Sequence, residues 1–102
     1  MLVVAGTITF DPAHHETVVD AARIVAESTR LESGCSSYEF FSDLTLRGRL
    51  LVFEEWEGET QLLNHLESDH VAQFGAVLRA SGMKSRDITR YHVSTSEPNR
   101  PS

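Results

Sequence analysis

His65 and His70 are the side chains of this 102-residue chain best suited to proton chemistry. An imidazole with an unperturbed pKa of about 6.5 can take a proton at neutral pH and give it back. His65 falls at the end of an apolar helical stretch and reads either as a general base or as a capping and packing residue at a helix break. His70 follows five residues later. In an unbroken helix that offset sets the rings roughly 140° apart, whereas a zinc pair wants i, i+4 on one face, so the spacing argues against a metal site. His70 meets His65 only if the chain breaks at Ser68-Asp69; otherwise it serves the helix start.

Around these two stand residues able to wall an aromatic site. Trp56 carries an indole N–H that seeks a partner when buried, and it reads as core or interface packing or as pocket lining. Glu54 shares its strand face. A carboxylate on an apolar face should be paired, and an Arg across a dimer is the expected partner. Tyr38, Phe40 and Phe74 fit core positions and a pocket wall equally. Cys35 has no activating neighbour in sequence and reads as an inert buried thiol. His14 and His15 lie in a first helical turn, where exposure is the default. Arg90 and His92 share a strand face, and neither takes a role from sequence.

Composition narrows the function classes. Fifteen acidic residues outnumber nine basic ones for a net charge of −6. The basic residues are scattered, unlike the clusters that neutralise phosphates, which excludes nucleic acid and anionic membrane surfaces as expected partners. No run reaches the ~18–20 apolar residues of a membrane helix. Leu2–Gly6 lacks the charged flank and length of a signal peptide. A lone cysteine permits no internal disulfide, so the expected compartment is the cytoplasm.

Seven elements follow from periodicity and punctuation. Leu2–Phe10 is a predicted strand. Asp11-Pro12 starts a helix reaching about Leu31, with Val18, Ala21, Ala22 and Val25 as its apolar stripe and Asp20, Arg23, Glu27 and Arg30 pairing on another face. Cys35–Ser42 and Arg49–Glu57 are strands joined by a hairpin loop over 43–48. Gly58 opens a short helix through Leu66, with Leu62, Leu63 and Leu66 inward. Ser68 or Asp69 caps a second helix over His70–Ala80. Ser85–Ser94 is the last strand, and 95–102 is a tail expected to be mobile, leaving one domain over 1–94. The order β-α-β-β-α-α-β is the ferredoxin-like split βαβ pattern of an α+β fold with a four-stranded antiparallel sheet. The third strand is apolar on both faces, and helices cover only one. A second copy of the sheet is the simplest cover for the other, which predicts a homodimer.

Three segments carry a family resemblance. Glu32-Ser33-Gly34-Cys35-Ser36-Ser37-Tyr38 resembles an "E-x-G-C-x-x-Y" motif, Val52-Phe53-Glu54-Glu55-Trp56 an "E-x-W" strand, and Leu63–Phe74 an "H-L-x-S-x-H-x-x-x-F" segment. Together they resemble the antibiotic biosynthesis monooxygenase superfamily of dimeric α+β barrels, which includes quinol and anthrone monooxygenases. The resemblance implies a ligand pocket between sheet and helices. It implies a cofactor-independent oxidation of a small aromatic quinol, phenol or anthrone by O2, without metal or flavin. His65 and His70 become the implied catalytic residues. Trp56, Phe74, Tyr38, Phe40, Thr7 and Glu54 become the implied substrate contacts. The haem-degrading branch has an axial histidine that aligns with Gly75 and a first-strand asparagine that aligns near Thr7; glycine cannot ligate iron, so haem degradation is not expected. Two other functions fit the same scaffold: a non-catalytic dimer that sequesters a small hydrophobe in a stress response, and a lyase or isomerase acting on an aromatic ketone. Oxygen consumption separates both from the first.

Overall fold

The computed structural model describes residues 1–101; Ser102, at the end of the predicted tail, lies outside them. The element order is β1 (Leu2–Thr9), a 3-10 turn (Pro12–His14), α1 (His15–Thr29), β2 (Cys35–Ser42), β3 (Arg49–Trp56), α2 (Glu59–Leu66), α3 (Asp69–Ala80) and β4 (Ser85–His92). The four strands form one sheet in the order β2-β3-β1-β4, with every neighbouring pair antiparallel. β1 and β2 therefore run parallel with β3 inserted between them, which is the split βαβ arrangement of a ferredoxin-like α+β domain. Residues 93–101 form no helix or strand.

Local chemistry accounts for the ends of the elements. Asp11 caps the 3-10 turn, its carboxylate accepting from the Ala13 N–H at 2.9 Å, with Pro12 in the first position where no N–H is needed. Ser68 caps α3 by accepting from the Val71 N–H, and this cap separates α3 from α2. The break required for His70 to approach His65 is thus present. Gly34, at φ +79, ends the turn after α1 in the left-handed region, where a Cβ would also strike the Gln61 side chain.

Strand alternation divides the sheet into two faces. Leu2, Val4, Ile8, Tyr38, Leu50 and Trp56 are buried beneath the helices, against Val18, Val25, Leu62, Phe74 and Leu78. A register shift between Cys35 and Ser37 adds one residue to β2, so that Cys35 opposite Trp56 and Tyr38 opposite Glu54 both lie on the helix face. The opposite face carries Phe41 at 54% exposure, Leu51, Phe53 and Tyr91 at 51%, with no helix over it.

Several expectations are corrected. α1 ends at Thr29, two residues early, because the chain turns at Arg30 towards β2. The opposite-sign pairs along α1 do not form: Arg30 instead reaches β2, donating to the Tyr38 carbonyl at 3.0 Å and pairing with Glu39 at 2.7 Å. His15 is buried, not exposed, since its Nδ1 accepts the Gly48 N–H at 3.0 Å and its ring packs on Phe10. Of the three leucines expected inside α2, only Leu62 is buried; Leu63 and Leu66 are half-exposed because a helix this short has one inward face.

Candidate active site

His65, on the last turn of α2, is 2% exposed and sits between two aromatic rings. Trp56 lies at 4.7 Å between centroids and Tyr38 meets it edge-on at 5.2 Å. Behind it, on the turn between α1 and β2, Glu32 places Oε2 at 2.7 Å from His65 Nδ1 and 3.1 Å from His70 Nε2. A carboxylate only accepts, so His65 donates from Nδ1, and the nitrogen left with a free lone pair is Nε2. Burial pushes the His65 pKa below the ordinary histidine range; the Glu32 hydrogen bond and charge oppose that shift, and His70 adds to it. A neutral imidazole at neutral pH, fixed in one tautomer, is the state a general base requires.

Glu32, His65 and His70 also bring donor atoms within 4.8 Å of one another, a set able to hold a divalent cation. In this structure one carboxylate oxygen serves both imidazoles by hydrogen bonds. The helical offset had argued against such a meeting, and the chain break at Ser68 is what permits it.

Trp56 is fully buried and donates its indole N–H to Glu54 Oε1 at 2.9 Å. Glu54 thus finds a partner within its own strand, an indole two residues along. Burial raises the Glu54 pKa above the ordinary carboxyl range, against the lowering effects of the Trp56 hydrogen bond and the Arg86 charge. Burial likewise drives the Tyr38 hydroxyl far up, with the nearby carboxylates Glu54 and Glu32 adding to it, so it stays protonated.

A cavity of about 490 Å³ lies between the sheet and α2–α3, lined by Tyr38, Phe40, Glu54, His65 and Phe74 together with Val4, Ile8, Val52, Val71 and Ile88. Of the implied site residues, the catalytic His65 and four of the contacts, Tyr38, Phe40, Glu54 and Phe74, come together there. Trp56 stands behind His65 and supports it without forming the wall. His70 does not line the cavity; its ring lies 6.0 Å from that of His65. Thr7 is corrected: it pairs with Leu51 and Asp87, on the bare sheet face away from the cavity, because its position in the strand alternation is odd relative to Val4 and Ile8. Sequence reasoning missed Glu32, whose only signal was its place in the "E-x-G-C" motif, and Arg86, which had none. A smaller hollow of about 290 Å³ between α1 and β2 contains no histidine.

Residues 1–77 match the family described as antibiotic biosynthesis monooxygenase. The chain belongs to that family. Among solved structures, a candidate antibiotic biosynthesis monooxygenase from Deinococcus radiodurans is 25% identical, with a TM-score of 0.91 over 99% of this chain and all of that one. A second candidate antibiotic biosynthesis monooxygenase, from Nitrosomonas europaea, shares the fold at TM-score 0.85 and 18% identity, over 93% of this chain and all of its own. A Mycobacterium tuberculosis protein shares it at 0.84 and 20%, over 95% and 98% of the two chains. An uncharacterized Synechocystis protein is 33% identical over 72% of this chain. The chain spans about half the length of that curated relative. Among the described residues, no helix is long and apolar enough to cross a membrane.

Proposed function

We propose that this family member is a cofactor-independent monooxygenase that oxidises a small aromatic quinol, phenol or anthrone-like molecule with O2, using His65 as its base. The observation that carries this reading is the Glu32–His65 pair beside an apolar, aromatic-lined cavity: a buried imidazole with its Nδ1 proton anchored and Nε2 free.

The chemistry balances without a further redox partner. His65 removes one proton from the acidic C–H of the substrate's keto tautomer, leaving a delocalised anion. That anion passes one electron to O2, and the resulting radical and superoxide join through a new C–O bond. The imidazolium returns its proton to the peroxide, and loss of water leaves a carbonyl, so that CH2 and O2 become C=O and H2O. The apolar walls exclude bulk water, which protects the radical pair.

The bare sheet face supports the second part of the proposal. Phe41, Leu51, Phe53 and Tyr91 form an apolar surface that a second copy of the sheet would cover, giving a dimeric α+β barrel. A cytoplasmic site of action, with the lone Cys35 kept reduced, belongs to the same proposal.

The test is oxygen uptake by purified protein offered quinols and anthrones after anaerobic loading, with and without a metal chelator. The expected result is chelator-resistant uptake, reduced about 10²–10⁴-fold by His65→Ala. Uptake that His65→Ala leaves unchanged overturns the assignment of the base. Binding without uptake identifies a sequestering module, and turnover without uptake a lyase or isomerase.

A further inference from the structure

β4 brings Arg86 and Arg90 to the cavity, one on each side of Ile88. The register across the sheet places Tyr38, Glu54, Val4 and Arg90 in one row, and Leu50, Ile8 and Arg86 in another. The histidine end of the cavity packs on Tyr38 of β2 and Trp56 of β3, whereas the arginines rise from β4 at the opposite edge. Three inter-strand steps separate the outer strands, about 14 Å at about 4.8 Å each. That span, less the reach of the side chains, suits a planar molecule of one to three fused rings lying across the apolar floor.

The charge in the cavity runs opposite to that of the chain. Acids outnumber bases fifteen to nine overall, yet the cavity wall holds two arginines and one carboxylate. Arg86 forms no ion pair among the described residues, and Arg90 has only a long contact to exposed Glu59 at 3.4 Å. Glu54 already accepts from Trp56, and Arg86 stands close enough for its positive charge to act on both Glu54 and Tyr38. Both arginines are also solvent-exposed, which puts the mouth of the cavity at β4. A guanidinium there can hold a carboxylate through two parallel N–H bonds.

We infer that the substrate is an anionic aromatic, carrying a carboxylate at the end remote from its reacting carbon, and that Arg86, seconded by Arg90, binds that carboxylate at the mouth while His65 meets the ring. This inference rests on the monooxygenase reading and names its substrate class.

The test is anaerobic calorimetry with a hydroxynaphthoate and its methyl ester, followed by oxygen uptake on each. The acid is expected to bind wild-type protein at least about tenfold tighter than the ester, as charged hydrogen bonds do. Arg86→Gln is expected to erase most of that difference through KM, with Arg86→Lys restoring part of it. As an exposed residue of an edge strand, Arg86 is replaceable without loss of the core. If acid and ester bind wild-type protein equally and both are turned over, the carboxylate assignment falls while the monooxygenase reading stands. If neither binds, both fall.

Discussion

Glu32 and His65, thirty-three residues apart in the chain, meet at 2.7 Å through Oε2 and Nδ1. One is held by the turn after α1 and the other by the last turn of α2, so two separate crossovers of the split βαβ fold converge on one hydrogen bond. Glu32 thereby acts as a positioning residue, deciding the tautomer of an imidazole that it keeps out of water.

Removing the carboxylate separates the two consequences. Glu32→Ala leaves a buried Nδ1–H without a partner and is expected to lower stability by about 1–3 kcal/mol in urea unfolding. Glu32→Gln retains an acceptor oxygen but no longer enforces the tautomer, so kcat should fall about 10²-fold with little change in the unfolding midpoint. A kcat close to wild type in Glu32→Gln would show that the tautomer is set by something else.

The acid limb of activity should belong to His65. Its pKa is lowered by burial, so the folded protein keeps the imidazole neutral at pH values where the unfolded chain, titrating near 6.5, begins to take up a proton. The stability this contributes is complete above pH 6.5 and is lost as pH falls towards the folded value. In parallel, kcat/KM is expected to be flat above pH 6.5 and to decline only below it. A decline that begins above pH 7 contradicts the direction of the shift.

The Trp56–Glu54 bond makes opposite forecasts for its two ends. Trp56→Phe strips the buried carboxyl of its donor and should cost about 1–3 kcal/mol. Glu54→Gln keeps an acceptor for the indole and removes a group whose folded pKa is raised. Such a group lowers stability as pH rises from the unfolded value of about 4.5 through the folded one. The variant should therefore gain on wild type between pH 4 and pH 7. Denaturation midpoints at the two pH values decide it, and a variant that loses ground at pH 7 would mean that the ionised carboxylate is stabilising where it stands.

The bare sheet face can be tested with one charge. Phe53 lies in the middle of that face on a central strand, and Phe53→Glu is expected to yield a folded monomer where wild type sediments as a dimer at micromolar concentration. Monomeric wild-type protein in the same experiment removes the face-to-face arrangement from the proposal.

Much of the fold was legible because its signals are local. The Ser68 cap and the β2 limits at Cys35 and Ser42 stand where residue chemistry puts them, whereas Asp11-Pro12 opens only a 3-10 turn and α1 itself starts at His15. The two-faced apolar pattern of Arg49–Trp56 likewise placed Leu51 and Phe53 opposite Leu50, Val52 and Trp56. The ion pairs were misread, because helical spacing makes Arg23 and Arg30 look like partners of Asp20 and Glu27, while Arg30 finds a carbonyl and Glu39 on β2 once the chain has turned. Thr7 was misplaced because an alignment position says nothing about the face to which a strand turns a side chain.

By itself the amino-acid sequence determined the strands and helices and their order, since period, caps and glycines act over a few residues. Only the tertiary structure decided that Glu32 holds His65 and His70, that Glu54 is answered by Trp56, and that Arg86 and Arg90 share a cavity with them. Those relationships join residues from different crossovers and opposite sheet edges, and hydrogen bonds and fields depend on distances in space that no spacing along the chain encodes.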